Sequence, residues 1–167
     1  GDHGYELWKT DGTAAGTSLV KDIYSGSQDA DLEYLTAVGN TLFFVAYDDV
    51  HGTELWKSDG TEAGTVLVKE VYTGSDGSYP EYLAAVGNTL FFSIYDPAYG
   101  AELWKSDGTE AGTVIVKDIL SGTGSSWPEY LTAVGNTLFF VAYDSVHGSE
   151  LWKSDGTEAG TVLVKDI

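Results

Sequence analysis

Hydrophobic and polar residues alternate along this chain in short runs, broken at regular intervals by glycine-rich turns. The run TLFFVAYD at 41–48 puts Leu42, Phe44 and Ala46 on one side of a strand and Phe43, Val45 and Tyr47 on the other, so both faces are apolar. An antiparallel sheet built around such a strand must be covered on both sides. No stretch keeps the 3.6-residue period of an amphipathic helix over a useful length. Mid-chain, four runs stand out at 82–86, 89–95, 102–105 and 114–119, designated strands a, b, c and d. Gly87-Asn88 separates a from b, as Gly39-Asn40 and Gly135-Asn136 do elsewhere, and such a pair suits a two-residue hairpin. Pro97 and Gly100 punctuate the b-to-c segment, and the turn-rich SDGTEAGT at 106–113 separates c from d. The pattern predicts an all-β chain of four-stranded antiparallel sheets.

These elements are copies of one another. The phrase beginning ELWK recurs at Glu6, Glu54, Glu102 and Glu150, a period of 48 residues. EYLTAVGNTLFFVAYD stands at 33–48 and 129–144, with EYLAAVGNTLFFSIYD at 81–96. Four strands per period of roughly 40–50 residues, each sheet needing a neighbour on either side, is the pattern of radially packed β-propeller blades. The expected organisation is a half blade at 1–23 (strands c and d) and whole blades at 24–71, 72–119 and 120–167, all in one propeller-type repeat domain. About three and a half units do not close a ring of roughly four to eight blades, so a partial ring or a segment of a tandem array is expected. The sequence holds no Met and reads as a mature or excised piece. Continuation before residue 1 is the simpler expected source of the missing a and b strands, ahead of repeats supplied by another chain.

The phrase ELWKSDGTEAGT, with GNTLFF upstream and VLVKDI downstream, resembles the ELWxxDGTxxGT repeat of large secreted bacterial proteins, whose repeats are taken to be propeller blades. The match covers nearly the whole chain, with Thr10 for Ser and Ala14 for Glu in the first copy as the main departures. The resemblance implies an extracellular or cell-surface, multi-repeat, non-enzymatic protein, some arrays of which are taken to form tandem propellers and fibres. It carries no catalytic motif to transfer.

Charge narrows the partners. Acidic residues number 26 against 8 basic ones, a formal charge of −18, which repels nucleic acid and anionic membrane surfaces. With no cysteine there is no disulfide, thiolate or Cys-based zinc site, and no apolar run approaches the ~18 residues that a membrane-spanning helix needs. Neither nucleic acid nor membrane insertion is expected.

Candidate chemistry is repetitive too. Asp11, Asp59, Asp107 and Asp155 each open a DGT loop, which invites calcium, but EF-hand spacing is missing and a turn accepting backbone N–H groups is the preferred reading. No cofactor is expected. His3, His51 and His147 share one repeat position with Tyr99 and would sit on different blades, so rim residues are favoured over metal ligands. Trp8, Trp56, Trp104 and Trp152 fall in strand c and read as packing between blades, with the indole N–H reaching a backbone acceptor. Lys21, Lys69, Lys117 and Lys165 in strand d read as charged protection of an exposed edge. Ser, His and Asp all occur, yet there is no G-x-S-x-G elbow and no constellation that breaks the repeat, so no catalytic residue is assigned.

The copies differ mainly in the d-to-a segments (24–32, 72–80, 120–128) and the b-to-c segments (49–53, 97–101, 145–149), which emerge at one end of an up-and-down blade. This end is the candidate contact surface, with Trp127, Tyr79, His51, Tyr99 and His147 on it. Trp127 and Tyr79 each precede a proline; plugging the entry to strand a is preferred over stacking on sugar. Two functions follow. One is a structural array whose partner is itself, through neighbouring repeats or propellers; the alternative is a lectin-like binder of glycans or proteins.

Overall fold

The computed structural model describes residues 2–167, which form strands and turns with no helix among them. The chain divides into two compact units, Gly1–Tyr79 and Pro80–Ile167. In the first, β1 (Leu7–Lys9) and β2 (Ser18–Lys21) form a two-stranded sheet. Beside it β3 (Glu33–Val38), β4 (Thr41–Asp48), β5 (Gly52–Ser58) and β6 (Val66–Lys69) form a four-stranded antiparallel meander in sequence order. The second unit contains two more such sheets. They are β7 (Glu81–Val86), β8 (Thr89–Asp96), β9 (Gly100–Ser106) and β10 (Val114–Lys117), then β11 (Glu129–Val134), β12 (Thr137–Asp144), β13 (Gly148–Ser154) and β14 (Val162–Lys165). The repeat in sequence is a repeat in structure.

Strand b behaves as its two-sided pattern requires: Phe43 and Phe44, on opposite faces of β4, are both buried. Sheets stack face to face. In the first unit Leu7, Val20 and Ile23 of the small sheet and its continuation join Phe44, Ala46 and Trp56 in one cluster. In the second, Ala84, Phe91, Leu103 and Val116 join Leu138, Phe140, Ala142 and Trp152. The hairpin of β3 and β4 closes over Gly39-Asn40 with Val38 opposite Thr41. The positive backbone angle falls on Gly39 alone (φ +59°), which fits a turn of type II′ rather than one positive at both residues.

Three details depart from the sequence reading. Strand c begins two residues before its repeated phrase suggests: Asp96 of strand b pairs with Gly100, so β9 starts at Gly100 rather than Glu102. Strand d ends at Lys117 rather than residue 119. Strand a is bulged, because Glu81 faces Ser93 whereas Ala84 faces Phe91, leaving one extra residue on β7. Tyr82 within that bulge takes φ +55°, as Tyr34 (+53°) and Tyr130 (+56°) do at the matching positions.

Candidate functional site

The DGT loop is a closed hydrogen-bond circuit. Asp59 Oδ1 accepts the Thr61 backbone N–H at 2.9 Å and the Thr61 hydroxyl at 2.7 Å. Thr61 Oγ1 in turn accepts the Gly64 N–H at 3.0 Å, and the Thr65 hydroxyl donates to the Thr61 carbonyl at 2.7 Å. Ser58 Oγ lies 2.7 Å from Thr65 Oγ1 and accepts the Gly60 N–H at 2.9 Å, with Gly60 at φ +86°. Asp11, Asp107 and Asp155 bind Thr13, Thr109 and Thr157 in the same way. The hydroxyl and N–H of the threonine hold the Asp11, Asp59 and Asp155 carboxyls below the usual range. Among the described residues no group of three or more His, Asp and Glu converges that could hold a metal.

The opposite end of each repeat is held by a carboxylate that the sequence reading passed over. Glu54 and Glu102 of the ELWK phrase are fully buried. Glu102 accepts the backbone N–H groups of Ile119 (3.1 Å), Leu120 (3.2 Å) and Ser126 (3.0 Å), and the Ser126 hydroxyl at 2.6 Å. Glu54 accepts from the Tyr72 N–H at 3.1 Å and from the Ser78 hydroxyl. Glu6 accepts from Ile23 (2.7 Å) and Tyr24 (3.1 Å). Each carboxylate thereby gathers donors from the end of strand d and from the segment leading to the next strand a, which otherwise have no ladder to join. Burial pushes Glu54 up to about 7, against the lowering effect of the Ser78 and backbone donors, and raises Glu6 and Glu102 for the same reason. The signal was present: a charge inside a β-strand at one fixed repeat position, with Ser78 and Ser126 each 24 residues downstream.

These clamps hold the variable segments side by side. The Thr53 carbonyl accepts the N–H groups of Ser78 and Tyr79, both at 3.1 Å, and the Ala101 carbonyl accepts those of Ser126 (3.0 Å) and Trp127 (3.2 Å). The d-to-a and b-to-c segments therefore do share one end of the sheet. On that end Tyr79 and Trp127 are 59% and 60% exposed, at φ +49° and +48°, where Asp31 holds the equivalent angle of +46°. Trp127, expected to plug the entry to strand a, thus keeps more than half of its surface in solvent. Left-handed angles on bulky side chains cost about 1–3 kcal/mol each and persist only where the surroundings impose them. Here the residue's own N–H and that of the serine before it are both held by one carbonyl, which fixes the backbone on the N-terminal side of each aromatic. Tyr130 and Tyr82 approach with ring centroids 6.1 Å apart.

His51 and His147 each pair with the aspartate three residues earlier. His51 Nδ1 lies 2.8 Å from Asp48 Oδ2, and His147 Nδ1 lies 2.9 Å from Asp144 Oδ2, while each aspartate also accepts the histidine's own N–H. The neighbouring carboxylate raises both histidines above their ordinary value. Where Tyr99 replaces histidine, its N–H donates to the Asp96 carbonyl at 3.1 Å instead. The imidazole is thus a turn brace within its own sheet.

Two expectations about strands c and d are corrected. The indole N–H groups of Trp56 and Trp152 are buried without a hydrogen-bond acceptor among the described residues, so these rings contribute through their faces rather than their N–H groups. Lys117 does more than protect an edge. Its ammonium donates to the Thr161 carbonyl at 2.9 Å and stands 5.9 Å over the Trp152 ring. Strand-c lysines act alike: Lys9 reaches the Gly60 carbonyl at 2.9 Å and Lys105 the Gly156 carbonyl at 2.7 Å.

A depression of about 490 Å³ in the first unit is lined by Tyr5, Glu6, Asp31, Leu32 and Glu33. Three of these described lining residues are acids. No protein-family model and no curated protein matches this chain.

Proposed function

We propose that the chain is a non-enzymatic, structural piece of a secreted β-propeller-type repeat array of the ELWxxDGT kind, whose sheets are blades and whose partner is more of itself. The observation that carries this reading is the repeated contact: in both units equivalent faces pack with equivalent residues, Leu7 and Val20 on Trp56, Leu103 and Val116 on Trp152. Support also comes from β7 and β11, the first strands of adjacent sheets, running beside one another as the innermost strands of blades do. The aspartates and threonines of the DGT loops and the buried Glu54 and Glu102, with Ser78 and Ser126, are engaged in internal hydrogen bonds. A formal charge of −18 suits an extracellular polymer that must stay dissolved.

The exposed Trp127 and Tyr79, fixed at costly backbone angles, favour a second reading: a lectin-like binder with shallow aromatic platforms at these two positions. A glycan array on the chain and on Trp127→Ala separates the two. Sugar binding lost in the variant establishes the lectin. No binding, together with ordered filaments in electron micrographs of the longer array, establishes the scaffold.

A further inference from the structure

Five aspartates in this chain precede a glycine: Asp11, Asp59, Asp76, Asp107 and Asp155. Such a linkage is open to one spontaneous reaction, because glycine has no β-carbon to keep its nitrogen away from the neighbouring carboxyl. The glycine nitrogen attacks Cγ of the aspartate, a C–N bond forms, and the carboxyl hydroxyl leaves as water with the proton of that nitrogen. Water then opens the resulting succinimide at either carbonyl. One opening restores aspartate; the other gives isoaspartate, whose backbone runs through Cβ and Cγ and is one atom longer.

The DGT circuit holds both partners of this reaction. The N–H groups of Gly60, Gly108 and Gly156 donate to Ser58, Ser106 and Ser154 Oγ at 2.9, 2.9 and 3.0 Å, and that of Gly12 donates to Thr10 Oγ1 at 3.0 Å. The four carboxylates are turned instead to the N–H and hydroxyl of the threonine two residues on. The lowered carboxyls of Asp11, Asp59 and Asp155 also spend less time in the protonated form that loses water. Asp76 has the same sequence around it and none of these bonds. Ser75-Asp76-Gly77 repeats Ser58-Asp59-Gly60, and Ser78 carries the N–H and hydroxyl that Thr61 uses. Both are engaged elsewhere, the N–H on the Thr53 carbonyl at 3.1 Å and the hydroxyl on Glu54. Among the described residues nothing donates to the Asp76 carboxylate, which stands on an exposed turn, and no side chain accepts the Gly77 N–H.

We propose that the DGT circuit shields four aspartyl-glycine bonds from succinimide formation, and that Asp76 is the site at which the folded chain is modified to isoaspartate. Gly77 is buried and forms a parallel bridge with Thr53, but nucleophile and carboxyl belong to adjacent residues, so attack needs only a rotation of the unheld Asp76 side chain. The N–H groups of Ser78 and Tyr79 share the Thr53 carbonyl. The added backbone atom therefore falls directly before the Ser78 clamp on Glu54 and before the exposed Tyr79.

Peptide mapping of isoaspartate after prolonged warm incubation at neutral pH, in buffer and in concentrated guanidinium chloride, tests it. In denaturant all five sites are expected to react at similar rates, since four share the tripeptide Ser-Asp-Gly and the fifth differs only in Thr10. In the folded chain isoaspartate is expected at Asp76, while the four loop sites slow by at least about tenfold, because reaction there waits for the loop to open. Thr61→Val removes the hydroxyl that donates to Asp59 Oδ1 and accepts the Gly64 N–H. It is expected to raise isoaspartate at Asp59 and to leave Asp107 and Asp155 protected in the same molecule. Ser58→Ala, which frees the Gly60 N–H, replaces it if the native circular dichroism spectrum is lost. Loop sites that react as fast folded as unfolded, an Asp76 no faster than they are in the folded chain, or a natively folded variant whose Asp59 stays inert overturns the inference.

Discussion

The Asp59 carboxylate occupies the space that a side chain on Gly64 would need: a β-carbon there would lie 2.0 Å from Asp59 Oδ1 and 2.2 Å from its carboxyl carbon. Gly16, Gly112 and Gly160 stand in the same relation to Asp11, Asp107 and Asp155. This explains the spacing D-G-T-x-x-G-T. The aspartate must fold inward to collect the threonine N–H and hydroxyl, and only glycine leaves it room.

Gly64→Ala should therefore expel Asp59 from its turn and break the circuit through Thr61 and Ser58. Losing the turn bonds and overpacking the loop are worth about 2 kcal/mol together, a fall of roughly 4–8 °C in Tm for a chain of this size. Asp59→Ala in the same background should add little further, since the bond is already gone. Thermal unfolding of the single and double variants checks this; full additivity would show that glycine and aspartate act separately.

Stability should rise on moving from pH 8 to pH 5. Glu54 has a folded value of about 7 against 4.5 unfolded, so between these values the folded chain holds a proton that the unfolded chain releases. Its contribution is complete below pH 4.5 and is lost as pH climbs through about 7, a change of about 3 kcal/mol. Glu102, Glu6, His51 and His147 are raised too and act with the same sign. Urea unfolding of the chain and of Glu54→Gln at both pH values measures it: the variant is expected to be less stable at pH 5 and to show a distinctly shallower pH dependence. An equal slope in both proteins would contradict the assignment.

What could be read from the sequence was whatever local periodicity controls. The paired phenylalanines Phe43 and Phe44 announce a strand covered on both faces, and Gly39-Asn40 announces its hairpin, because both depend on neighbours one or two residues away. The bulge at Tyr34, Tyr82 and Tyr130 left no trace, since EYLTAV alternates as a regular strand would and the left-handed angle is imposed by partners elsewhere in the fold. Glu54 was hidden for another reason. A charge in a strand reads as a solvent-facing residue unless its donors are known, and Ser78 and Tyr72 come only after the turn-rich loop and strand d. Trp127 before Pro128 stood out in the sequence, but its 60% exposure was not legible there, because it depends on the backbone at Ser126 and Trp127 that the distant Ala101 carbonyl holds.

Trp127→Asp copies the residue that Asp31 supplies at the same backbone angle in the first unit. Aspartate tolerates the left-handed region better than an indole does, and that relief offsets the packing lost from a ring already 60% exposed. The substitution is expected to leave Tm within about 4 °C, a change of ~1 kcal/mol, while deleting the aromatic platform. A larger fall would assign Trp127 to packing rather than to the surface.

Chelation should leave the fold untouched. In every DGT loop one carboxylate oxygen is already bonded to the threonine N–H and hydroxyl, as Asp107 is to Thr109 at 2.8 and 2.7 Å, and the loop closes on itself without further ligands. A calcium site draws on six to eight oxygens around one point, and the acids of successive loops belong to different sheets. Unfolding with millimolar EDTA is expected to give a Tm within about 2 °C of that in calcium, below what ~1 kcal/mol produces. A drop of tens of degrees on adding EDTA, reversed by calcium, would show that the aspartates are ligands and that their turn bonds are secondary.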